Sequence, residues 1–173
     1  MMKTRKAFPT LAFLIVVAIF ASTPQSSSAV VPDQGPSAFG QGAFSYFNGF
    51  RTEQWNYSFD IAANKTGHAR GRATFDILEH NTQTQVVVKI NCLEVIESSG
   101  ILSAFITGTV LHSDDPEFPQ QANVLFGAED YSAFPIVRPD IITRLFVFQG
   151  DCHDGAFPLT FFFQSPDAIH IEQ

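Results

Sequence analysis

Apolar and polar residues alternate along "QWNYSFDI", with Trp55, Tyr57, Phe59 and Ile61 on one parity and Gln54, Asn56, Ser58 and Asp60 on the other. A period of two with one wet face predicts a strand half-buried in a sheet. The alternation resumes in "ARGRATFDI", where Ala69, Gly71, Ala73, Phe75 and Ile77 share a face opposite Arg70, Arg72, Thr74 and Asp76. A loop over 64–68, with Gly67 available for a positive φ, makes the two segments an antiparallel hairpin. Its register is fixed by the faces: Phe59 meets Ala73, Ile61 meets Gly71, and Asp60 faces Arg72 on the wet side. A slip of one residue would turn the aromatics into water.

The next run, "QVVVKINCLEV", places Val86, Val88, Ile90 and Cys92 on one face and Val87, Lys89, Asn91 and Leu93 on the other. Further strands are expected over 101–112, 122–126, 141–149, 157–163 and 168–171, and a first one near 43–47. Turn residues recur between these segments and no window sustains a 3.6-residue apolar period, so the chain reads as all-β with about nine strands. An antiparallel β-sandwich and a closed β-barrel both fit that pattern. The stretches "SDDPEFPQQ" and "AEDYSAFPIVRPD" read as loops, because Pro119, Pro135 and Pro139 would each remove a donor from a central strand.

Ahead of the strands, Lys3, Arg5 and Lys6 precede an apolar run over 11–21 and a polar stretch closing on Ser27, Ser28 and Ala29. That order predicts a secretory signal peptide over 1–29. The run is too short for a membrane helix, which needs about 20 apolar residues, and no later segment of the chain is long and apolar enough to span. Residues 30–42, rich in Pro, Gly and Ser, read as an extended lead-in, and 43–173 as a single β domain that is secreted or periplasmic. The leader holds three of the 10 Lys and Arg residues and none of the 17 Asp and Glu, so the exported domain is more acidic than the whole-chain net charge of −7. Such a surface excludes nucleic acid, whose phosphates call for clustered Lys and Arg.

The chain has two cysteines, Cys92 and Cys152. In an exported protein a pair is most simply a disulfide. By strand parity Cys92 follows Ile90 inward and Cys152 follows Phe146 and Phe148 inward, unless a bulge at Gly150 shifts it, while His153 is expected to point to the opposite face from Cys152.

No nucleophile elbow, zinc-protease His-Glu-x-x-His, Walker loop or Cys-x-x-Cys occurs. Acidic clusters offer oxygen ligands for calcium, and Glu129, Asp130 and Asp140 form the candidate set, although their spacing reproduces no known calcium loop. Phenylalanine is the compositional oddity, 19 in all with Phe8, Phe13 and Phe20 in the leader. A Phe-rich packed core explains it, and an aromatic-lined cavity for an apolar small molecule, or a patch for a protein partner, is the functional alternative.

Several segments together carry a resemblance: "YSFDIAANKTGHARGRATFDI", "VVVKINCLEV", "GILSAFITGTV", "PDII" and "IHIE". The chain resembles an uncharacterised family of small secreted bacterial β-domain proteins, with Gly67, Ala69, Gly71 and Ala73 matching its Gly-x-Ala-x-Gly-x-Ala hairpin. Cys92, Leu93 and Val95 match its Cys-Leu-x-Val strand, Asp140 its Pro-Asp, and Cys152 its late cysteine. Where that family carries Asp-x-Gly-Glu-Gly this chain reads "FGAED". The resemblance implies export and a β fold, and it transfers no activity. The expectation is a binding or structural module. The alternative is a small β-barrel hydrolase, lyase or isomerase with an aromatic-lined pocket.

Overall fold

The computed structural model describes residues 34–65, 68–133, 138–154 and 160–173. The signal peptide expected over 1–29, the φ of Gly67, and Phe157 lie outside the described residues. Among the described residues ten strands build one antiparallel sheet: β1 (Gln34–Phe47), β2 (Thr52–Asn64), β3 (Ala69–Glu79), β4 (Thr82–Ser98), β5 (Ile101–Ser113), β6 (Asn123–Asp130), β7 (Ile141–Thr143), β8 (Phe146–Val147), β9 (Phe161–Phe163) and β10 (Ile169–Glu172). The order is β10-β1-β2-β3-β4-β5-β6-β7-β9, with β8 paired to β6 beside β7. The fold is all-β, a sheet curled into a half-barrel around one aromatic core.

The β2–β3 hairpin has the register expected from the faces, with Phe59 opposite Ala73, Asp60 opposite Arg72 and Ile61 opposite Gly71. Two-residue turns close the next two hairpins, with both residues at positive φ: His80 and Asn81 after β3, and Ser99 and Gly100 after β4. That left-handed pair matches the twist of the flanking strands. Between β1 and β2, Asn48 Oδ1 accepts the N–H groups of Phe50 and Arg51 at 3.0 and 3.1 Å. The buried Glu53 then ties this turn to the core, accepting from Asn48 Nδ2 at 2.7 Å and from Trp55 Nε1 at 2.9 Å.

The first strand starts at Gln34, well before the 43–47 expected for it. The glycines that suggested a lead-in are instead required by packing. A Cβ on Gly40 would stand 2.7 Å from the Phe59 ring, and one on Gly42 would stand 2.6 Å from Gln164 Oε1. β6 likewise runs on through Ala128, Glu129 and Asp130, which the proline-rich neighbourhood had suggested as loop. The strand expected over 141–149 is split into β7 and β8 at Arg144 and Leu145.

Inward side chains interlock. Trp55 lies 6.1 Å from Phe75 and 6.0 Å from Phe118, both edge to face, and Phe126 sits 5.3 Å from Phe75 and 5.6 Å from Phe59. Phe118 comes from the loop between β5 and β6 and is fully buried. Edge-to-face geometry suits the ring quadrupole, so these rings contribute beyond the area they bury.

Candidate functional site

The two cysteines are joined, with Cα atoms 5.7 Å apart. Cys152 is buried, and the position of Cys92 differs from the parity expectation. Between β4 and β5 the register passes from Ile90 opposite Gly108 to Cys92 opposite Thr107, so Asn91 is an extra residue and the strand carries a bulge. Beyond it the faces exchange: Leu93 is buried, and Cys92 and Glu94 lie on the outer side. Apolar residues at Leu93 and Val95, out of phase with Val86, Val88 and Ile90, were the visible signal of that switch.

Cys152 opens a 3₁₀ turn, Cys152–Asp154, so strand parity does not govern the direction of His153. Asp151 Oδ1 accepts the His153 N–H at 2.8 Å, and Asp154 Oδ2 accepts the Asp151 N–H at 2.9 Å. These short side chains hold the turn by replacing backbone partners. The turn packs on β4 and β5 and carries the half-exposed His153 toward Cys92, where it was expected to point away. His153 Nε2 lies 3.8 Å from Cys92 Sγ, and its Nδ1 lies 3.4 Å from Glu94 Oε1. Cys92 and Glu94 share the face because they are two residues apart on one strand.

Around this group is a cleft of about 370 Å³ lined by His68, Asn91, Thr107, Asn123, Asp151 and His153. His68 forms an isolated bridge to Cys92. Asn91 Nδ2 donates to Thr109 Oγ1 at 2.8 Å, which in turn donates to Asn123 Oδ1 at 3.3 Å, so two of the lining amides are held through one hydroxyl. Among the described residues, Cys92, Cys152 and His153 are the cluster whose ligand-type atoms fall within 4.8 Å of one another.

The acidic candidates serve elsewhere. β10 pairs with β1 through one edge, and its other edge turns the N–H groups of Ile169 and Ile171 toward side chains. Asp140 Oδ2 accepts from Ile169 at 3.0 Å and its Oδ1 from Tyr131 at 3.1 Å. Asp130 Oδ2 accepts from Ile171 at 2.9 Å and its Oδ1 from Ser132 at 2.7 Å. Both carboxylates are buried, and all four oxygens meet backbone donors. Burial pushes the Asp140 carboxyl above its ordinary range; the N–H groups of Ile169 and Tyr131 oppose that shift, while the nearby Asp130 adds to it. Glu129 turns aside to Ser103 Oγ and to the hydroxyl of Tyr131, which donates to it at 2.8 Å.

A second depression, about 780 Å³, lies on the outer face of β1–β3 and is bordered by Phe39, Gln41, Ser58, Asp60, Arg72 and Thr74. Phe39 is half exposed there, with its ring 5.0 Å from that of His170. Among the described residues no helix is long and apolar enough to cross a membrane. No family model, curated protein or solved structure matches the chain.

Proposed function

We propose that this chain is an exported β-domain of the secreted family it resembles, acting as a binding or structural module that meets its ligand on the outer surface. The observation that carries this reading is the interior. Trp55, Phe75, Phe118 and Phe126 fill it ring against ring, and the buried acids Glu53, Asp130 and Asp140 are engaged by Trp55 Nε1 and backbone N–H groups. A core filled in this way leaves recognition to the outside, where the groove over β1–β3 sets an aromatic ring beside hydroxyl, amide and charged groups. The same reading takes the curled sheet as a barrel whose last seam, along β10, is sealed by Asp130 and Asp140 in place of a ladder. The disulfide agrees with an oxidising compartment.

The test is amide chemical-shift mapping of isotope-labelled protein against a library of small aromatic, aliphatic and anionic fragments. The proposal expects perturbations at Phe39, Ser58, Arg72 and Thr74 and silence at the Trp55 indole. Fragments that instead shift Trp55 and Phe126 would reveal an interior site and replace this reading with the enzyme-like one.

A further inference from the structure

The strongest chemistry outside the groove is the Cys92–Cys152 bond with its two neighbours. We propose that this bond is an exchangeable disulfide serving a low-molecular-weight thiol, with His153 as the acid and base for Cys92 and Glu94 as the residue that positions the imidazole. Three observations converge. The bulge at Asn91 brings Cys92 to the outer face, half-buried at the floor of an open cleft, while Cys152 is 1% exposed. An incoming thiolate therefore reaches Cys92 Sγ first. His153 then stands between sulfur and carboxylate, 3.8 Å from Cys92 Sγ and 3.4 Å from Glu94 Oε1, which sets a proton donor beside the sulfur that must leave and an orienting carboxylate behind that donor. Finally, the cleft of about 370 Å³ accommodates a small thiol compound, and its lining of Asn91, Thr107 and Asn123 offers polar contacts to one.

The step balances as thiol–disulfide exchange. A thiolate attacks Cys92 Sγ, forming a mixed disulfide and breaking the bond to Cys152, whose sulfur takes the electron pair and then a proton. A second thiolate attacks the outer sulfur of the mixed disulfide, releasing an oxidised thiol dimer. The Cys92 thiolate leaves beside His153 and accepts its proton. Two thiols are oxidised, the protein bond is reduced to two thiols, and the reverse sequence uses the oxidised dimer.

The experiment tracks reduction of the native, oxidised protein by glutathione and by free cysteine between about pH 5 and about pH 8, where the thiolate fraction of each reagent is known. Rates are divided by thiolate concentration and compared among wild type, His153→Gln and Glu94→Gln, with near-UV circular dichroism as the folding control. The proposal expects His153→Gln to slow the reaction about tenfold or more at the acidic end. It also expects the thiolate-corrected rate to fall with rising pH in wild type, to be flat in His153→Gln and to be shallower in Glu94→Gln. Single-turnover mass spectrometry should find the glutathione adduct on Cys92. Equal rates and equal pH dependence in wild type and His153→Gln, an adduct on Cys152, or reduction only under conditions that unfold the chain would each overturn the proposal.

Discussion

Asp140 holds two backbone N–H groups while removed from water, so its burial and its bonds pull its proton affinity in opposite directions. Burial is the larger influence, and the folded-state pKa is raised. Its contribution to stability is thus fully present below the unfolded carboxylate pKa and is lost as pH rises through the raised folded value. Denaturant unfolding between about pH 4 and about pH 8 should show wild type losing stability relative to Asp140→Asn as pH rises. The substitution should also cost about 1–3 kcal/mol at acidic pH, because the amide NH2 would meet the N–H of Ile169 or Tyr131 donor to donor, whereas either oxygen of the carboxyl can accept. Composition made Asp130 and Asp140 visible as a possible oxygen cluster. Their partners were invisible, since Ile169 lies 29 residues and Ile171 41 residues further along the chain, and only the curl of the sheet brings those N–H groups to the acids. The same holds for His153: one-dimensional parity assigned it to the wrong face, because a 3₁₀ turn has no period of two.

At the level of the strand, alternation was legible wherever one face is wet and the other dry, and the β2–β3 hairpin has every pairing that alternation demands. It failed where a strand changes phase or is poor in side chains. The bulge at Asn91 exchanged the faces of β4, and β1 hid behind Gly35, Gly40 and Gly42, whose small size reads as turn but here makes room for the Asn64 backbone, for β2 aromatics and for Gln164. Gly40→Ala should displace the Phe59 ring and destabilise the fold by about 1–3 kcal/mol, as overpacking does. Thermal unfolding measures the loss. A nuclear Overhauser pattern in which Phe59 retains its contact with Phe126 at undiminished stability would count against this account of the glycine.

For the molecule as a whole, stability rests on the aromatic core and one long covalent loop. Phe118, delivered by a connection between strands, touches Trp55 and fills its part of the interior. Phe118→Ala should cost about 3–5 kcal/mol in denaturant unfolding. Cutting the disulfide removes closure of a 60-residue separation and should lower stability by about 4 kcal/mol in the chain-entropy treatment, a loss readable as a lower urea midpoint in the Cys92→Ser, Cys152→Ser double variant. The fold class was legible from local pattern, and the curl of the sheet was not, because it depends on which distant edges meet. The edge of β10 also bears on how one copy behaves among many. An open strand edge presents free donors that a neighbouring chain can continue as fibril or aggregate. Asp130 and Asp140 occupy the donors at Ile169 and Ile171 with carboxylates, so neither N–H group is left for an incoming strand.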